Sequence, residues 1–198
     1  MIKSAHTVEI FLKQGEVYFG DRDTHIRTVL GSCVAITMWH PELLIGGMCH
    51  YMLPGRRPRG QKSHCRIKNS PITFPSRRAL DTKALDGRYA DEALELMFCE
   101  IQRSGTSAGE YQIKLFGGGN MFPATNQMRA QHVGLMNIEV VTQLLAHHGL
   151  KVSAEHLGGN GHRNLIFDIG SGHVWMKHQE PAQSSCDTCE AREICLHA

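Results

Sequence analysis

The sequence predicts an α/β or α+β domain richer in sheet than in helix. Short Val-, Ile- and Phe-rich segments recur between turn residues, and only two stretches show the 3.6-residue apolar period of a helix. At 198 residues, with 41% hydrophobic and 20% charged side chains, the chain can bury one core without staples.

The elements follow in order. Thr7–Lys13 and Glu16–Phe19 are β-rich segments on either side of Gln14-Gly15, and Asp21-Arg22-Asp23 breaks the pattern. His25–Leu30 comes next and ends at the turn pair Gly31-Ser32. Two apolar runs, Cys33–Trp39 and Leu43–Leu53, flank His40-Pro41-Glu42 and read as buried strands joined by a short loop. Residues 54–86 carry prolines at 54, 58, 71 and 75 and no sustained period, which predicts a long loop inserted in the domain. A helix is expected over Tyr89–Arg103, whose Ala90, Ala93, Leu94, Met97, Phe98 and Ile101 share one face; Ser104-Gly105 stops it. Tyr111–Phe116 is a strand running into Gly117-Gly118-Gly119. A second helix is expected over Asn137–His148, with Gly149 just past its end. Lys151–Leu157 is a strand, and Asn164–Ile169 with His173–Lys177 make a hairpin around Gly170-Ser171-Gly172. Residues 1–180 thus read as one domain and 181–198 as a polar, Cys-bearing tail.

Composition excludes several functions. No run approaches about 18 uninterrupted apolar residues, so membrane insertion is not expected. The start, Met1-Ile2-Lys3-Ser4-Ala5-His6, has no apolar secretory core, which points to the cytoplasm. The net charge is only +2, yet eight Lys or Arg and no acid fall within residues 54–80, leaving the remainder mildly acidic. That loop has Phe74 as its one aromatic residue, which argues against a nucleic-acid partner. It reads as a solvated insertion or as a dock for an acidic protein surface.

Seven cysteines, at 33, 49, 65, 99, 186, 189 and 195, read as reduced thiols in such a chain. Cys33 follows the Gly31-Ser32 turn, where backbone N–H groups of Ser32 and Cys33 can face an oxyanion. His50 lies on the next strand, and antiparallel pairing can bring it beside Cys33. A thiol needs such a base, because the thiolate is the nucleophile. The imidazole in turn wants an orienting hydroxyl or carboxylate, and Thr28 is the nearest candidate. A Cys in an apolar strand serves equally well as packing. Cys49 should face the opposite side of the strand from His50 and belong to the core. Gly117-Gly118-Gly119-Asn120 lacks the Lys-Ser/Thr ending of a phosphate loop and reads as a close backbone approach. In the tail, Cys186, Cys189, Cys195 and His197 form a conceivable zinc set, but Cys195-x-His197 is too tight to favour it, so no metal is expected.

Leu30-Gly31-Ser32-Cys33-Val34-Ala35 together with Gly47-Met48-Cys49-His50-Tyr51-Met52-Leu53-Pro54 resembles the signature of the CheD family, chemoreceptor glutamine deamidases of bacterial chemotaxis. The resemblance continues through Tyr89-Ala90, through Lys114-Leu115-Phe116-Gly117-Gly118-Gly119-Asn120-Met121-Phe122, through Gly134-Leu135-Met136-Asn137, and through Gly158-Gly159 ahead of Arg163. It spans about residues 7–178 and leaves the Cys tail outside. It implies a three-layer α/β sandwich of mixed β-sheets flanked by two main helices, related to the deamidase toxins of the cytotoxic necrotizing factor type. It also implies Cys33 as nucleophile, His50 as general base and Thr28 as the third member, with no metal or cofactor. Implied partners are the cytoplasmic domains of methyl-accepting chemoreceptors and, where it is present, the phosphatase CheC. The expected reaction converts receptor glutamines to glutamates through a Cys thioester. An adaptor that binds receptors or CheC with a dispensable site is the alternative.

Overall fold

Strand alternation and two amphipathic helices sort this chain into layers. The computed structural model describes residues 7–55, 85–121, 128–180 and 192–196. Its main elements are β1 (Val8–Phe11), β2 (Val17–Gly20), β3 (Thr24–Leu30), β4 (Val34–His40), β5 (Ile45–Tyr51), α1 (Ala90–Arg103), β6 (Gln112–Gly117), α2 (Met128–His147), β7 (Val152–Leu157), β8 (His162–Asp168), β9 (Val174–Gln179) and β10 (Arg192–Leu196). They form two five-stranded sheets, ordered β1-β3-β8-β9-β10 and β2-β5-β4-β6-β7. Both sheets are mixed: β1 runs parallel to β3 and β6 parallel to β7, while the other pairs are antiparallel.

The period-2 pattern assigns each face. In β3, Ile26, Thr28 and Leu30 are buried while Arg27 and Val29 are exposed. These inward residues join Ala35, Met48, Phe116, Leu165, Phe167 and Met176 in a core between the two sheets. The opposite face of the second sheet, with Val34, Ile36, Cys49 and Tyr51, packs against α1 and α2. β4 is buried at every residue because it is covered on both sides. The layers are therefore sheet, sheet and helices, which is the expected three-layer sandwich with both helices on one outer side.

Most predicted elements occur, with instructive shifts. The segments around Gln14-Gly15 are both strands, but β1 belongs to the first sheet and β2 to the second. The second helix begins at Met128, earlier than the expected Asn137. Gly134 lies inside it; a Cβ at 134 would lie 2.6 Å from the Gly118 carbonyl oxygen, so glycine lets the helix meet the Gly117–Gly119 loop. Part of the presumed tail is built into the first sheet, since Arg192–Leu196 pair with β9. The basic insertion lies outside the described residues between 56 and 84, as do Cys65, Cys186, Cys189 and His197. The chain on either side of the insertion is held together by a bridge between Leu53 and Tyr89 and by the Arg88 carbonyl, which accepts from the Met52 and Leu53 N–H groups.

Candidate active site

Three chain segments converge where β3 turns into β4. In the β4–β5 ladder Ala35 stands opposite His50, so both face the space between the sheets. Cys33, two residues before Ala35, lies in the same inter-sheet core and is almost fully buried. It stands one residue before the last pair of that ladder, Val34–Tyr51, and two residues before Ala35, the partner of His50. Cys49 takes the opposite face, fully buried under the helices, as alternation requires.

From the facing sheet, β3 delivers Thr28. Its Oγ1 lies 2.9 Å from His50 Nδ1 and donates its proton to the Leu12 carbonyl at 2.8 Å. A hydroxyl has only one proton to give. With that proton committed to Leu12, the 2.9 Å contact requires Nδ1–H of His50 as donor and Thr28 Oγ1 as acceptor. The neutral ring then carries its lone pair on Nε2, and this atom is buried with no hydrogen-bond partner among the described residues. Neighbouring Arg27 points outward and pairs with Glu9 at 3.3 Å, so alternation leaves Thr28 as the β3 residue that meets the imidazole. The Leu12 carbonyl, a backbone group, left no side-chain signal in the sequence.

The turn carrying Cys33 is held by its carbonyls. Those of Gly31 and Cys33 each accept a bond of 2.8 Å, from the N–H groups of Gly119 and Gly118 respectively. The Ser32 carbonyl accepts from Asn137 Nδ2 at 3.1 Å, and the same nitrogen donates to the Met52 carbonyl at 2.9 Å. Gly117 has φ +115°, and a Cβ there would lie 2.1 Å from the Cys33 carbonyl oxygen. The glycine run is thus a close backbone approach to the turn, as the missing phosphate-loop ending suggests. Sequence reading placed Asn137 only at a helix start and did not single it out. Beneath the same loops Arg163 is fully buried, donating through Nε to His156 Nδ1 at 2.8 Å and through Nη2 to the Gly158 carbonyl.

Burial dominates the electrostatics. It pushes the Cys33 thiol up, while the residue's own backbone N–H works the other way. It lowers His50 from its ordinary 6.5 to about 4, opposed by the Leu12 carbonyl and the charge of Glu16. The resting pair is therefore neutral thiol and neutral imidazole. Cys49, wholly enclosed, is pushed up to about 12 and is inert at ordinary pH. A cavity of about 420 Å³, lined by Phe11, Leu12, Lys13, Gln14, Thr28, Val29 and His50, opens beside the imidazole. Among the described residues no cluster of three or more His, Cys, Asp or Glu is arranged to hold a metal, and no helix is long and apolar enough to cross a membrane.

The depressed His50 value makes stability pH-dependent. The unfolded chain protonates this residue near pH 6.5, the folded chain only near 4. Its contribution is complete above pH 6.5 and is lost as pH falls from there through about 4. At about 1.4 kcal/mol per pH unit the loss is about 3 kcal/mol. Chemical denaturation at pH 7 and pH 4 should show a larger acid loss for the wild type than for His50→Gln; equal losses contradict the assignment.

Comparison with known proteins gives a consistent result. A family model described as CheD chemotactic sensory transduction matches residues 74–178. A protein of Pseudomonas fluorescens (strain SBW25), named probable chemoreceptor glutamine deamidase CheD, is 44% identical over 180 residues, covering 90% of this chain and 89% of the relative. A protein of the same name from Pseudomonas savastanoi pv. phaseolicola is 48% identical over 172 residues, covering 86% and 85%. A more distant one, probable chemoreceptor glutamine deamidase CheD 1 of Leptospira interrogans, is 34% identical over 178 residues, covering 87% and 94%. The family model covers the C-terminal half of the domain, and the relatives extend the likeness over most of the chain: it belongs to the CheD family.

Proposed function

We propose that the chain deamidates glutamine side chains of chemoreceptors, using Cys33 as nucleophile and His50 as general base. The observation that carries this is the Leu12–Thr28–His50 relay, which leaves a buried Nε2 lone pair without a partner among the described residues, on the inter-sheet side where Cys33 also lies. A neutral imidazole with a free Nε2 lone pair is the form that a general base requires.

The chemistry follows from the resting protonation. Because the thiol is raised and the imidazole lowered, proton transfer accompanies attack and does not precede it. His50 Nε2 takes the Cys33 proton as the sulfur bonds to the carboxamide carbon of glutamine. The resulting oxyanion is stabilised by backbone N–H groups at Ser32–Cys33. The C–N bond breaks as Nε2 returns the proton to nitrogen, and ammonia leaves. Water then attacks the thioester, His50 accepts its proton, and the C–S bond breaks to give glutamate and free thiol. Thr28 holds the ring in the useful tautomer throughout. The reaction takes place in the cytoplasm, where the substrate side chains lie on receptor cytoplasmic domains, and CheC is a further partner where the cell makes it.

Incubation with a purified receptor cytoplasmic domain tests this directly. The expected result is a mass gain of about one dalton per modified glutamine, with one ammonia released per event. Receptor binding with unchanged mass and no ammonia would instead favour the adaptor reading.

Thr28 supplies a sharper check. Thr28→Val keeps the volume but removes the acceptor for Nδ1–H, and kcat should fall about 10²-fold, the lower end of a general-base contribution. Thr28→Ser should retain most of the activity. Equal loss in both would remove the hydroxyl from the relay.

A further inference from the structure

Asn137 is fully buried on α2, yet its carboxamide is spent on the catalytic turn and not on its own helix. Its two Nδ2 protons go to the carbonyls of Ser32 and Met52, which fixes the orientation of the amide: flipped, its oxygen would face two acceptors. Its position is held in turn by Tyr51, whose hydroxyl donates to the Asn137 carbonyl at 2.8 Å. Val34–Tyr51 is the last pair of the β4–β5 ladder. Just beyond it the two chains part, and the Asn137 side chain bridges them between the residue before the nucleophile and the second residue after the base.

Peptide geometry gives that bridge a consequence. The described chain has no cis peptide bonds, so the Ser32 C=O and the Cys33 N–H point in opposite directions across one rigid plane. Asn137 draws the carbonyl toward the helix layer. The N–H is thereby turned away from the helices, toward the inter-sheet side where the Cys33 side chain lies. That is where a donor must sit if it is to meet an oxyanion formed on the carbon that the sulfur attacks.

We propose that Asn137 is the positioning residue for the oxyanion donor: by holding the Ser32 carbonyl it aims the Cys33 N–H at the reacting centre. This inference rests on the cysteine-nucleophile reading above. Asn137 does not touch the substrate. It acts through the Ser32–Cys33 peptide, whose neighbours on either side are held separately by Gly119 and Gly118.

The test compares two reactions of Cys33 in the full chain. Deamidation builds an oxyanion; alkylation by iodoacetamide displaces iodide at a saturated carbon and builds none. Asn137→Ala should lower kcat on a receptor cytoplasmic domain about 10²-fold, leave KM unchanged, and alkylate at the wild-type rate at the same alkaline pH. Asn137→Ser, which keeps a shorter donor, should show the same split with a smaller loss, and thermal melting verifies that each variant is folded. An unchanged kcat overturns the inference while leaving the nucleophile in place. So does a parallel fall of alkylation and turnover, which would mean general damage to the thiol, or failure of both variants to fold, which would make Asn137 part of the framework only. If the wild type itself releases no ammonia, the deamidase reading fails first and this inference falls with it.

Discussion

Replacing Cys33 with alanine should reduce deamidation by about 10⁶-fold, to the background rate, because the proposed acyl-enzyme forms on its sulfur. The useful comparison is Cys49→Ala, one residue from His50 in sequence and on the opposite face of β5. Cys49 is packed beneath α1 and pushed up to about 12, so its loss creates a small cavity and costs stability while leaving kcat near the wild-type value. Cys33→Ala should melt close to the wild type and still bind receptor. Ammonia release and thermal melting together separate the two variants. A Cys49→Ala enzyme with no activity and normal stability would show that the strand faces have been misassigned.

His50→Ala should lower kcat by about 10³- to 10⁴-fold, the upper range for loss of a general base. On the proposed mechanism the nucleophile begins as a buried thiol whose pKa burial raises, so little thiolate stands ready to act without His50. The wild-type pH profile carries the same information. His50 accepts a proton only near pH 4, so the acid limb of kcat/KM should fall through about 4 and not through 6.5. On the alkaline side, alkylation of Cys33 should climb above the ordinary thiol range with no plateau near neutrality. A plateau of alkylation at pH 6–7 would indicate a preformed thiolate–imidazolium pair and contradict the neutral resting state.

The sequence carried the site further than the topology. Period-2 alternation and one antiparallel pairing suggested that Cys33 and His50 share a face, and the family resemblance supplied their proposed roles with Thr28; the fold places Thr28 against His50 and Cys33 in the same inter-sheet core. The assignment of sheets was not legible. β1 and β2 look like neighbours across Gln14-Gly15, but each pairs with a later strand in a different sheet, and those pairings depend on burial that no local window records. The early start of α2 was missed because the apolar face was read only from Ile138 onward, while Gly134, within the helix, serves a close contact with Gly118. Apart from the Asn137 side chain, the parts of the site that were missed are backbone: the Leu12 carbonyl that takes the Thr28 proton, and the three successive carbonyls of Gly31, Ser32 and Cys33 that hold the turn. Backbone groups have no residue signature, so only the fold reveals them.

The most direct test of the central claim is to trap the intermediate. Wild-type enzyme mixed with a receptor cytoplasmic domain and quenched in acid should yield an adduct equal to the sum of the two proteins less one ammonia. Peptide mapping should place the link on Cys33, and hydroxylamine should cleave it as a thioester. Formation of glutamate by a Cys33→Ala enzyme, or a thioester mapped to a different cysteine, would contradict the account.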